Sequence, residues 1–260
     1  MVVSDVHVHL LPGLDDGPRD EPEAVALAGE LAADGVRRVA TTPHLRADYP
    51  DVRPEELAAR VAALQERIDR EEIDLDLVTG GEVAIEWAVS ASDEDLRLVS
   101  YGQRGTDLLV ETPYGPIPAI FEELLNQLMV RGYRVILAHP ERNHSFQNNP
   151  DRLVQMVEQG VLVQVTASAL ASSDRRSRSR RLARALLRAG NAHIIASDSH
   201  GAIQRAPLSA GVRAASDLTP ARAQWMVTEA PHAVVMGEPL PEAPVDPPPK
   251  RLAFLARLRR

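Results

Sequence analysis

Short β-branched runs alternate with longer stretches of helical period along most of this chain, an order that favours parallel strands joined by crossover helices. Strands are expected near Val2–His9, Val36–Thr41, Leu75–Thr79, Asp107–Val110, Tyr133–Ala138, Val161–Thr166 and His193–Ser197. Helices are expected at Pro22–Asp34, Pro54–Glu72, Pro118–Arg131, Asp151–Gln159, Arg175–Arg188 and Pro220–Thr228. Three of them end on Gly35, Gly132 and Gly160, and a strand follows each glycine at once. Seven strands in this order suggest an α/β barrel. The 260 residues, 44% of them hydrophobic, suffice for one sizeable core.

Six of the chain's 20 prolines crowd between Glu238 and Pro249, so residues 1–237 are expected to form the folded domain and 238–260 an extended linker and tail. The tail, Lys250–Arg260, interleaves five positive charges with Leu252, Phe254, Leu255 and Leu258. It reads either as a solvated terminus or as a short amphipathic helix making peripheral contact with an anionic partner or membrane. The arginine run from Arg175 to Arg188 reads as a solvated helix face. A formal charge of −8 excludes a general nucleic-acid binder, and nine aromatics are too few for base-stacking platforms. With no cysteine there is no disulfide, no zinc-thiolate site and no thiolate nucleophile. No apolar run reaches the ~20 residues needed to span a bilayer, and the N-terminus has no cleavable apolar segment; a cytoplasmic protein is the default expectation.

Chemistry collects where these strands end. His7 and His9 end the first, His44 follows the second, Glu82 the third, Glu111 the fourth, His139 the fifth, and Asp198 with His200 the seventh. In a barrel the C-terminal strand ends converge, so the positions point to one place. His7 and His9 lie two apart on an extended segment, so their rings share a face and can hold one ion, and Asp198-x-His200 repeats the spacing. Either pair alone is a weak signal. Asp5 continues the first alternation and is placed to steady a histidine from behind. In the turn Leu11–Pro18 either Asp15 or Asp16 could reach the same centre. Pro43 stiffens the backbone before His44.

His139-Pro140-Glu141-Arg142-Asn143 is the least accidental string: its histidine ends an apolar strand, and Arg142 supplies a planar fork suited to phosphate oxygens, unless a neighbouring acid occupies it. His144, His193 and His232 fit no such pattern and read as structural or surface residues. Imidazoles and carboxylates without thiolates suit Mn, Fe or Zn rather than calcium. Eight or nine donors exceed the needs of one ion. Two or three ions would explain them, and such centres generate hydroxide at neutral pH while clamping the oxygens of an in-line displacement.

These residues in this order resemble the polymerase and histidinol phosphatase (PHP) superfamily. More narrowly, Asp5–His9, Leu11–Pro18, Thr42-Pro43-His44, Glu111-Thr112-Pro113, His139–Asn143, Gln164–Ala167 and Ser197–His200 resemble the bacterial manganese-dependent protein-tyrosine phosphatases of capsule and exopolysaccharide systems. The resemblance runs from about residue 2 to 236. It implies a distorted seven-stranded barrel and metal ligands at His7, His9, Asp16, His44, Glu82, Glu111, His139, Asp198 and His200, choosing Asp16 over Asp15. It also implies phosphate binding by Arg142 and Arg205, with Arg142, His44 and His200 carrying the reaction. The partner it implies is an autophosphorylated bacterial tyrosine kinase that controls polysaccharide assembly.

The expected activity is therefore metal-dependent hydrolysis of a phosphomonoester, phosphotyrosine on a protein, with no covalent phosphoenzyme. Two other readings stay open on sequence alone: a small-molecule phosphatase acting on a substrate such as histidinol phosphate, and a metal-stabilised binding module without catalysis.

Overall fold

The first strand explains much of the architecture. Ser4–Val8 (β1) is buried along its whole length, so its alternation serves two interiors: Val6 and Val8 face one side while Asp5 and His7 face the other. The computed structural model describes residues 1–201 and 207–245. Among these, further strands are Arg38–Thr41 (β2), His44–Leu45 (β3), Asp76–Thr79 (β4), Glu82–Val83 (β5), Asp107–Glu111 (β6), Arg134–Ala138 (β7), Leu162–Thr166 (β8) and Ile194–Ala196 (β9). Every strand pairing is parallel, as the alternating pattern requires.

The strands form two sheets rather than one closed ring: three strands in the order β1-β2-β4, and six in the order β3-β5-β6-β7-β8-β9. Two short strands go beyond the seven expected: β3 follows β2 after a break at Thr42-Pro43, where proline has no N–H to give a ladder, and β5 follows β4 after a break at Gly80-Gly81. A Cβ on Gly81 would lie 2.6 Å from Leu45 Cδ2, so glycine lets the two chain segments approach there. The last strand returns to the first. Val8 and Ser199 form a parallel bridge, His7 O accepts from Asp198 N at 2.9 Å, and His9 N donates to Ser199 O at 3.0 Å.

The helices are Glu21–Ala33 (α1), Pro54–Arg70 (α2), Ile85–Ser90 (α3), Asp93–Val99 (α4), Phe121–Val130 (α5), His144–Asn148 (α6), Pro150–Glu158 (α7), Ala167–Ala171 (α8), Arg178–Ala189 (α9), Leu208–Ser216 (α10), Pro220–Trp225 (α11) and Glu229–Met236 (α12). The long ones follow their signals: Asp20 caps α1 by accepting from Glu23 N at 3.0 Å, and Gly190 ends α9 with φ +79°. The short helices α3, α4, α6, α8, α10 and α12 are absent from the sequence expectation, because five to nine residues hold too little of a helical period to stand out. None of the described helices is long and apolar enough to cross a membrane.

Residues 238–245 form neither helix nor strand, yet Leu240 and Ala243 rest against the core, so the start of the proline-rich stretch is packed rather than detached. The basic tail Lys250–Arg260 lies outside the described residues, as does Arg205.

Helices α8 and α10 meet without a gap. A Cβ on Gly211 would stand 2.5 Å from Ala167 Cα and 2.6 Å from its Cβ. Since backbone cannot give way cheaply, Gly211→Ala is expected to cost about 3 kcal/mol by overpacking, read as a lowered urea midpoint with an unchanged slope.

Candidate metal centre

Each element delivers its donor to one pocket. His7 lies in β1 and His9 just beyond it; His44 and Glu82 open β3 and β5 and stand opposite each other in register. Glu111 closes β6, His139 follows β7, and Asp198 and His200 follow β9. His139 and Asp198 have φ of +37° and +56°, a left-handed backbone that non-glycine residues seldom adopt and that clusters at working sites.

Among the described residues these side chains make four groups whose donor atoms lie within 4.8 Å of one another: His9, Asp16, His44 and His200; His7, Glu82 and His139; His7, His9 and Asp198; and His44, Glu82 and Glu111. All nine candidate ligands are present, and His7, His9, His44 and Glu82 each belong to two groups. Glu82 is the hub. Its Oε2 lies 3.2 Å from His7 Nε2, 3.4 Å from His9 Nε2 and 3.1 Å from His44 Nδ1, and its Oε1 lies 2.9 Å from His139 Nε2. Asp16 stands 3.3 Å from His200 Nε2 and 3.6 Å from His44 Nε2. His44 and His200 thus face Asp16 inside the donor set.

The groups fit cations by their own chemistry. Glu82 Oε2, Asp198 Oδ1 and His44 Nδ1 are buried and make no hydrogen bond, although their lone pairs converge. Buried polar atoms left this way are costly unless something else satisfies them. Burial lowers His44 to about 4, against the pull of Glu82, so its imidazole is neutral and free to donate a lone pair. Burial and then the repulsion of Glu82 raise Glu111 to about 7. Burial also disfavours the charge on Glu82 and on Asp198, but His7 and the neighbouring histidines outweigh it and hold both well below the usual carboxylate range.

Behind the donors stands a supporting layer. Asp15 accepts from His9 Nδ1 at 2.6 Å and from His44 N at 3.0 Å, so of the two adjacent acids Asp15 orients a ring while Asp16 faces the pocket. Gln164 Oε1 accepts from His7 Nδ1 at 3.0 Å and from His139 N at 3.3 Å. Asp5 does not steady a histidine ring as expected: its carboxylate accepts backbone N–H groups from Ser197, at 3.1 Å and 3.2 Å, and from His7, clamping β1 to the chain after β9. Among the described residues two hollows border the site. A small one of about 60 Å³ is lined by Thr112, Pro113, Tyr114, His139, Arg142 and Asn143, with Arg142 paired to Asp198 Oδ2. A larger one of about 600 Å³ includes Arg46, Tyr49, Trp87, Glu111 and Tyr114 in its lining.

Residues 3–219 match the family described as capsular polysaccharide synthesis, CpsB/CapC. The chain belongs to the CpsB/CapC family. It is 31% identical over 199 residues to the tyrosine-protein phosphatase YwqE of Bacillus subtilis, spanning 75% of this chain and 76% of that one. It is also 31% identical over 203 residues to the putative tyrosine-protein phosphatase CapC of Staphylococcus aureus, spanning 77% and 78%. A solved structure from work on YwqE of Bacillus subtilis and CpsB of Streptococcus pneumoniae, described as unique metal-dependent tyrosine phosphatases, superposes with a TM-score of 0.81 at 26% identity. It covers 94% of this chain and 98% of that one.

In this CpsB/CapC chain three site features escape sequence reasoning. Gln164 opens one of the strings that carry the resemblance, but as a neutral residue inside an apolar strand it is assigned no role there. Arg46 donates to Glu111 Oε1 at 2.9 Å and lies 5.0 Å from the Tyr114 ring centroid and 5.7 Å from that of Tyr49; nothing in the spacing of these residues announces the stack. Trp87 lies on α3, a helix too short to foresee. The other histidines lie apart: His144 contacts Gln147, His232 lies beside Arg38, and His193 Nδ1 accepts from Val163 N at 3.0 Å. Because Gln164 fixes the tautomer and orientation of His7, Gln164→Leu is expected to weaken metal affinity about 10- to 100-fold with the fold retained, measured by competition with a chelating dye.

Proposed function

We propose that this chain is a metal-dependent tyrosine-protein phosphatase that hydrolyses phosphotyrosine on a protein in one step. The observation that carries the reading is the set of four overlapping donor groups beside an arginine and an aromatic-lined cleft, in a chain of the CpsB/CapC family. His7, His9, Asp16, His44, Glu82, Glu111, His139, Asp198 and His200 would hold two to three divalent ions, with Mn favoured over Fe and Zn. Such ions, when bound, lower the pKa of water and neutralise charge on a transferring phosphoryl group.

The chain's own groups do the rest. Arg142, at the small hollow and more than a third exposed, binds equatorial phosphate oxygens, and Asp198 keeps its fork aimed. Arg205 is the second phosphate ligand. His44 and His200 would act through the ion they share with His9 and Asp16, placing it at the reacting end of the substrate. Tyr114 and the Arg46 stack present a wall for an aryl ring at the mouth of the larger hollow. A phenolate, whose conjugate acid has a pKa of ~10, departs with little help, so no strong general acid is needed.

The same reading takes residues 1–237 as the catalytic domain, in the cytoplasm, with the two sheets as halves of a distorted seven-stranded barrel closed through Val8 and Ser199. The phosphorylated partner is a bacterial tyrosine kinase of polysaccharide assembly. Turnover of a phosphotyrosyl peptide against histidinol phosphate, with Mn present, tests the proposal. A peptide preference of at least about tenfold in kcat/KM is expected; a preference for histidinol phosphate would make the chain a small-molecule phosphatase, and no turnover of either would leave a binding module.

A further inference from the structure

Seven arginines lie between 175 and 188: Arg175, Arg176, Arg178, Arg180, Arg181, Arg184 and Arg188. Leu182, Ala183, Leu186 and Leu187 bury the apolar side of α9 in the core, which sends the arginines to the other side. Among the described residues none of the seven makes an ion pair, whereas arginines elsewhere routinely do, as Arg60 with Glu56, Arg97 with Glu94 and Arg131 with Asp93. The cluster is at odds with its own helix. Arg178, Arg180 and Arg181 occupy the first turn, where the helix dipole disfavours cations, and that turn holds no acidic residue; Asp174, in the turn before, accepts from Arg176 N and forms no ion pair with them. Burial, and then Arg180 and Arg188, lower Arg184 against the pull of Asp217, and Arg180 Nε has no hydrogen-bond partner. In a chain of net charge −8, this much unpaired positive charge on one face suits an anion.

Its position adjoins the site. Gln147 Nε2 donates to the carbonyls of Glu141 at 2.8 Å and Arg142 at 3.3 Å and to Ser179 Oγ at 3.2 Å, while Arg178 pairs with Asn148. One side chain therefore joins the backbone of Arg142 to the first turn of α9. We propose that the arginine face of α9 and the turn before it docks an acidic segment of the phosphoprotein substrate, outside the phosphotyrosine itself. The proposal rests on the phosphatase reading above. A membrane surface fits less well, because the apolar side of α9 is already buried and cannot insert. Nucleic acid fits less well too, since no aromatic lies between residues 147 and 224 to stack on bases.

The test compares wild type with the triple variant Arg175→Ala, Arg176→Ala, Arg181→Ala on three substrates: a phosphotyrosyl peptide with a glutamate-rich flank, the same peptide with a glutamine flank, and p-nitrophenyl phosphate. Wild type is expected to favour the acidic peptide by about tenfold or more in kcat/KM at low salt, and the preference should shrink as salt rises. The variant should lose the preference and keep its rate on p-nitrophenyl phosphate, which also reports that it folds. A preference that survives in the variant, or an equal fall on all three substrates, would overturn the docking role. If wild type turns over none of the three, the phosphatase reading is what has failed. Fluorescence anisotropy with the unphosphorylated glutamate-rich peptide then decides the docking surface alone: salt-sensitive binding lost in the variant supports it. No binding, or tighter binding to phosphatidylglycerol vesicles than to the peptide, overturns it.

Discussion

Glu82→Gln is expected to lower kcat/KM for a phosphotyrosyl peptide about 10³-fold, or about 4 kcal/mol of transition-state stabilisation, while the far-UV spectrum stays that of wild type. Glu82 is fully buried and its two oxygens face His7, His9, His44 and His139, so two of the four donor groups lose their shared anion at once. The amide keeps the volume and one acceptor but adds an N–H that points at imidazole nitrogens and repels a cation. Elemental analysis should show fewer metal ions per chain than in wild type. Glu82→Ala would add a cavity and leave four buried imidazoles without their counter-charge, so it should also unfold at lower urea. His139→Ala tests the same group from the other side, since His139 touches Glu82 only through Nε2, and a fall of similar size is expected. Arg142→Ala, by contrast, removes a contact with phosphate and should chiefly raise KM. Undiminished turnover in Glu82→Gln would detach the donor cluster from catalysis.

The donors were legible because strand ends in a parallel α/β fold converge, so residues 191 apart in sequence can be read as neighbours: His7 and Asp198 are 3.1 Å apart across the β1–β9 seam. Strand identity was legible for the same reason, since buried parallel strands are near-continuous apolar runs. What hid was whatever depends on side chains meeting across loops. Asp15 and Asp16 cannot be told apart by spacing, and only the turn's path, which aims Asp15 at His9 Nδ1, assigns their different tasks. Asp5 shares a face with His7 and His9, yet its carboxylate is taken by Ser197 N–H, a partner that comes from the other end of the chain. Arg46, Tyr49 and Tyr114 meet because the loops after β3 and β6 fold over one another, and loop shape is weakly encoded by local sequence. The breaks at Pro43 and Gly80-Gly81 were visible as residues, but their consequence, a change of sheet, follows from how the chain bends between strands.

Stripping metal with a chelator is expected to abolish hydrolysis and also to lower Tm by about 10 °C, two effects with one cause. Without cations, Glu82 Oε2, Asp198 Oδ1 and His44 Nδ1 are buried acceptors with no hydrogen bond, a native state that carries the full cost of their desolvation. An ion that binds the folded chain alone stabilises it by about 4 kcal/mol at 1,000 times its dissociation constant, and a domain of this size shifts by about 2–4 °C per kcal/mol. Several donors are shared between groups, so the ions should not bind independently, and the Tm should climb steeply over a narrow range of added Mn rather than in separate steps. Repeating the titration with Zn and Fe(II), and reading rate and Tm together, separates the ion that fits the cavity from the ion that supports turnover. A rate and a Tm both indifferent to chelation would mean that these imidazoles and carboxylates satisfy one another unaided, which their unbonded lone pairs argue against.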